Sequence, residues 1–247
     1  MRRIAWIAFA LLTLGIIALP AQAQQACPCN WLFMNTGPTP TPGVTPGFVQ
    51  AAMIATASPG ASPNVTFSAT PAAGDLLVAM YMATQETNQG TNIGWTQIAF
   101  ISQATYDCEL AWRIAVPGEP ATEQPFDQLG GTTVVSITEV KNFPGNGTTG
   151  TFDGSGCVEA VAANPATATL TVTNTAINDF GVALAIANVN AETAIFSTGW
   201  ASELHLTTNS SYALATSTLT SMLAPSLIGT WSGGTSSISD IVGVYIK

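Results

Sequence analysis

The stretch YDCELAWRIA, residues 106–115, decides the fold class. Cys108, Leu110, Trp112 and Ile114 fall on one side of an extended chain, and Asp107, Glu109, Ala111 and Arg113 on the other. That period of two is the mark of a strand with two unlike faces. It recurs along the chain. NVTFSAT (64–70) sets Val65, Phe67 and Ala69 on one face, and DLLVAMYMA (75–83) is almost continuously apolar. GWTQIAFIS (94–102), TTVVSITEV (132–140) and ATATLTVTN (166–174) follow. DFGVALAIAN (179–188) alternates Phe180, Val182, Leu184 and Ile186 with Gly181, Ala183, Ala185 and Ala187. SYALATSTLT (211–220) and DIVGVYIK (240–247) complete the set. Roughly ten to twelve short strands between Gly, Pro, Asn and Asp turns predict an all-β chain. The expected architecture is a two-sheet antiparallel β-sandwich of jelly-roll (concanavalin-like) type.

Upstream of the strands the chain changes character. Arg2 and Arg3, the apolar run Ile4–Leu19 and the small-x-small triplet Ala21-Gln22-Ala23 have the layout of a secretory signal peptide, residues 1–23. The expected location is therefore secreted, at the cell surface or periplasmic, with no membrane contact after cleavage. Residues 24–36 form a cysteine-containing segment. Pro38, Pro40, Pro42 and Pro46 make 37–47 a linker of polyproline type, ahead of a domain spanning 48–247. Gln24-Gln25-Ala26 before Cys27 is a poor match to a lipidation motif. Cys27, Cys29, Cys108 and Cys157 are disulfide candidates in an oxidising compartment. Bridging Cys27 to Cys29 would close a strained ring, so one or both are expected to reach Cys108 or Cys157.

Charge narrows the partners. Beyond residue 23 three basic residues (Arg113, Lys141, Lys247) stand against 14 acidic ones, a net charge of −11. Nucleic acid needs clustered Lys and Arg to displace its counterions, and none is present. A neutral glycan, another surface protein or a second copy of the chain fits this composition.

PAAGDLLVA, GWT, LAWRIAVPGEP and PATATLTVTNTAINDFGVAL occur in that order. In this the chain resembles secreted bacterial and phage-tail-associated β-sandwich modules of jelly-roll type, over residues 48–247. The resemblance implies a surface or particle module that binds or builds. It carries over no catalytic residue.

Candidate sites follow from residue chemistry. His205, between Leu204 and Leu206 in an alternating strand, is the chain's one histidine, and DGSGC around Ser155 lacks the first glycine of a nucleophile elbow. A Ser-His triad is therefore not expected. Asp107 and Glu109, about 7 Å apart along one strand face, form a carboxylate pair spaced for glycan cleavage. Arg113 shares that face, which makes a solvated ion-pair surface the plainer expectation. Trp95 and Trp200 each follow a glycine at a strand start, and Trp231 sits in the glycine-rich GTWSGG. An exposed aromatic of this kind can serve as a stacking plate for sugars, and Trp231 is expected in a loop. No cofactor motif is present. Asp153 and Glu159 are a fragment of a calcium loop, so a structural Ca²⁺ is the one metal the sequence allows. The leading expectation is a non-enzymatic module that is carbohydrate-binding or adhesive. The alternatives are a glycan-cleaving enzyme using Asp107 and Glu109, and a structural subunit of an extracellular assembly.

Overall fold

The computed structural model describes residues 45–56, 63–84, 90–127, 133–142, 152–161, 167–171, 179–188, 193–208, 210–218, 226–232 and 238–246. All lie in the second of the two units into which the chain divides, Gly37–Lys247. The expected signal peptide, Cys27, Cys29 and most of the expected linker fall outside the described residues. Among the described residues no helix is long and apolar enough to cross a membrane.

The first half of the domain holds β1 (Gly47–Thr56), β2 (Val65–Thr66), β3 (Leu76–Thr84), β4 (Thr96–Ser102), β5 (Tyr106–Ile114), β6 (Thr122–Glu123) and β7 (Thr133–Lys141). The second holds β8 (Phe152–Val161), β9 (Thr167–Thr171), β10 (Phe180–Ala187), β11 (Thr193–Phe196), β12 (Ala201–Thr208), β13 (Ser210–Thr218), β14 (Ser226–Ser232) and β15 (Ile238–Ile246). Two five-stranded antiparallel sheets result, ordered β1-β7-β3-β5-β4 and β12-β13-β10-β15-β8. They are consistent with a β-sandwich. Leu76, Val78, Met80 and Met82 of one sheet share a single apolar core with Phe180, Val182, Leu184 and Ile186 of the other.

The two sheets have the same topology. Reading β1, β3, β4, β5, β7 against β8, β10, β12, β13, β15, each sheet places its first, last, second, fourth and third strand side by side. The correspondence extends to register. Leu76 pairs with Ile114 and Val140, and Phe180 pairs with Thr218 and Ile246. The first strand of each half slips register beside a phenylalanine, Phe48 or Phe152. The third strand slips between Gln97 and Ala99 in one half, and between Ser202 and Leu204 in the other. Even the small outer pairings repeat, β2 with β6 and β9 with β14. A bulge bends a strand and fixes its twist, so matching bulges give the two sheets matching curvature.

Each sheet has a second apolar layer on its outer face. Leu77, Ala79, Tyr81 and Ala83 pack beneath Val65, Phe67 and Phe126, and Tyr81 meets Phe126 edge to face at 4.8 Å between ring centroids. In the second half Ala183, Ala185 and Ala187 lie beneath Ala194, Phe196 and Trp200. Period two therefore marks two buried faces here, not one buried and one wet.

Candidate functional site

The strand that announced the fold carries its candidate carboxylates where alternation places them, but not in solvent. Asp107 and Glu109 are buried, and Arg113 is only 19% exposed at its side chain. The solvated ion-pair face expected from sequence is corrected: residues 115–126 and β2 cover it. Asp107 Oδ1 accepts from the backbone N–H of Gln103 at 3.2 Å and so closes the β4–β5 hairpin. Glu109 accepts at Oε1 from Gln97 Nε2 at 2.8 Å. Burial pushes its carboxyl up, against the lowering effect of Gln97 and Tyr81.

Arg113 is the centre of this layer. Glu119 and Glu123 both pair with it, Glu123 at 3.0 Å. The indole of Trp95 lies across its guanidinium, 5.2 Å from ring centroid to Cζ. Burial raises the Glu123 carboxyl, and Arg113 counters that. Glu119 also accepts from the Val116 N–H at 2.7 Å, which holds the Gly118-Glu119 turn. Trp95 follows Gly94, whose φ of +90° only glycine adopts without strain, and its N–H bonds Asn92 O at 3.0 Å. The Gly-Trp-Thr and Gly-Glu-Pro motifs thus meet at one arginine, as keystones of the fold.

The remaining sites resolve as follows. Trp95 is 7% exposed and buried in the outer layer. Trp200 packs edge-on to Tyr245 at 6.0 Å between ring centroids. Trp200 is partly buried there. Trp231 is in strand β14, opposite Ala194 of β11, and not in a loop as expected, because GTWS continues the ladder that Ser226 begins. Asp153 and Glu159 sit near opposite ends of β8, about 20 Å apart at strand rise, and so cannot share an ion. Cys108 bonds Cys157, with 6.4 Å between Cα atoms, joining β5 to β8. Neither is left for Cys27 or Cys29, which corrects the pairing expected from the sequence. Both bridged cysteines point into the common core.

The two long seams of the sandwich differ. Where β4 meets β8, the disulfide is joined by a bond from Gln103 Nε2 to Cys157 O at 3.0 Å and another from the Thr105 N–H to Glu159 Oε2 at 2.7 Å. Where β1 meets β12 there is a cleft of about 300 Å³. Ala51, Met53, Phe67 and Leu206 give it an apolar floor, and Thr66, Ser68 and His205 add polar atoms. That volume is at the small end of the range for ligand pockets.

Charge is distributed unlike its sequence. Asp107, Glu109, Glu119, Glu123, Glu139, Asp179 and Asp240, seven of the chain's 14 acidic residues, are buried. Glu139 accepts from Gln50 Nε2 at 2.6 Å and from the Ala72 N–H at 2.7 Å. Beside it Asp75 is pushed up to about 6, first by partial burial and then by its bond to Glu139 and the charge there. Among the described residues no three His, Cys, Asp or Glu side chains gather into a group that could hold a metal. No protein-family model, curated protein or solved structure matches the chain.

Proposed function

We propose that this chain is a secreted, non-catalytic surface or particle module that adheres or assembles through an exterior with few charged side chains. One observation carries the reading: seven of the 14 acidic residues are buried, so fewer charged side chains line the exterior than the composition implies. A surface with little charge lacks the repulsion that keeps soluble proteins apart and suits close packing against neutral partners. The motif order shared with phage-tail-associated modules and the bridge between Cys108 and Cys157 support the extracellular part of the reading. Within the sandwich class, a jelly roll is the finer form expected from sequence. The separation of the two sheets along the chain favours a repeated half-sandwich instead.

The β1–β12 cleft favours a carbohydrate-binding form of the same function, since an apolar floor rimmed by hydroxyls and an imidazole suits a neutral sugar. The buried pair Asp107 and Glu109 favours a structural role over glycan cleavage. The test combines two assays on the purified protein. Sedimentation velocity at neutral pH reads self-association, and co-sedimentation with insoluble polysaccharides, with released sugar ends measured alongside, reads binding and cleavage. Assembly, or binding without release, is expected. Release of sugar ends would overturn the non-catalytic reading, and a monomer that binds nothing would overturn the adhesive one. If a sugar binds, Trp231→Ala and His205→Ala locate it, and the larger loss of affinity is expected at His205.

A further inference from the structure

We infer that Asp240 and Glu159, beside the hydroxyl of Tyr106, form a binding site for a hard divalent cation, Ca²⁺, between the two sheets. Asp240 has no exposed surface, and neither of its carboxylate oxygens has a hydrogen-bond partner. Directly opposite it in register stands Glu159. Two residues earlier along β8, Cys157 faces Val242 in the shared core, so both carboxylates point inward. One Glu159 oxygen is held by the Thr105 N–H at 2.7 Å, which leaves the other directed by a fixed side chain. Tyr106 is bonded to Ser210 and lies within the field of both acids; burial first, then the charge of Asp240 and to a lesser extent that of Glu159, push its phenol up to about 12.

A buried carboxylate without a partner is costly, and two facing each other are worse. Without a positive charge between them one must keep its proton, and the Asp240 carboxyl is pushed up to about 8, by burial first and by Glu159 second. A divalent ion removes both costs. The donors are all oxygens, which suits Ca²⁺ rather than a softer metal, and its flexible coordination accepts carboxylates beside neutral oxygens. Glu159 is half-buried and gives the ion its route to solvent.

The molecule contains its own control. In the first half the register pair corresponding to Asp240 and Glu159 is Val134 and Ala55. Val134 is buried in the core and Ala55 packs against it. The same framework is therefore built without acids at these positions, so folding does not require them. The site differs from the pair read in the sequence: Glu159 is retained, and its partner is Asp240 rather than Asp153.

The test uses the full purified protein, stripped with EGTA and dialysed. Thermal unfolding and titration calorimetry are followed with CaCl₂ added, for the native chain and for Asp240→Val and Glu159→Ala, each of which copies the other half's residue. The native chain is expected to gain roughly 5–10 °C in Tm at a hundredfold excess over Kd. Both variants should fold, with no saturable heat and no shift. No heat and no shift in the native chain would overturn the assignment. So would an equal response in both variants, which would put the ion elsewhere.

Discussion

The outer layers of the two halves solve the same packing problem in different ways. In the first, Leu77 and Tyr81 fill the space and a charged layer of Glu109, Arg113, Glu119 and Glu123 lies beside them. In the second, the same register positions carry Gly181, Ala185, Ala213 and Ser217, and Trp200 fills the space. Trp200 lies so close to Gly181 that a Cβ there would come within 2.6 Å of its ring and 2.8 Å of Tyr245. Both tryptophans rest on the same turn, Gly94 at φ +90° and Gly199 at +96°, but Trp95 covers an arginine where Trp200 covers a glycine. The frame of strands and bulges is set by backbone pairing, and either polar or aromatic filling can occupy it.

The sharpest break in that comparison is pH dependence. The raised carboxyl of Asp240 has no acidic counterpart in the first half. A group that ionises later in the folded than in the unfolded chain gives stability that is complete below its ordinary pKa of 3.8 and lost as pH climbs through about 8. Urea midpoints in EGTA should therefore fall over that window, by at most on the order of 5 kcal/mol. Asp240→Val should flatten the curve, and an unchanged slope would reject this assignment.

Replacing Cys108 and Cys157 together by alanine opens a link across 49 residues, worth about 4 kcal/mol in the chain-entropy account. Denaturant titration of the double variant measures it, and a loss below about 1 kcal/mol would mean the seam holds without the bond. Arg113→Ser copies Ser217 but leaves Glu119 and Glu123 buried with no cation, so a loss of about 3 kcal/mol is expected from the same titration. Gly181→Ala pushes a methyl into the Trp200 and Tyr245 rings at a cost of about 2 kcal/mol. Tryptophan fluorescence and melting temperature both report it. The smallest effect belongs to Glu109→Ala, which copies Ala213. Its bonded neighbours are the exposed Gln97 and the buried Tyr81 hydroxyl, which loses a partner, so the change should cost about 1 kcal/mol. A loss above 3 kcal/mol would make the polar layer a folding requirement of the first half.

Alternation in the sequence located the strands and their faces. Phe180, Val182, Leu184 and Ile186 do point together into the core, and the small residues between them do share the other side. Period two cannot say whether a second face is covered, since the cover comes from distant segments such as 115–126. That is why Asp107, Glu109 and Arg113 read as a wet surface and prove to be buried. The disulfide was equally out of reach, because it depends on how β5 and β8 meet. The repeat is hidden by its fillings: Glu109 against Ala213, Arg113 against Ser217, Val134 against Asp240. Its surviving traces are Gly-Trp at 94–95 and 199–200, and LLVAMYMA against FGVALAIA. Asp240 carried no signal in a terminal strand that otherwise looked ordinary.

The bond between Cys108 and Cys157 ties a strand of the first half to a strand of the second, on either side of the segment 142–151 that connects them. A protease that cuts this connector yields two chains but still one molecule. Where extracellular proteases are abundant, the halves cannot drift apart after a nick, and the cut ends become positions at which the gene could be circularly permuted. The covalent thread of the domain is thus doubled at the one place where a single cut would otherwise separate its two sheets.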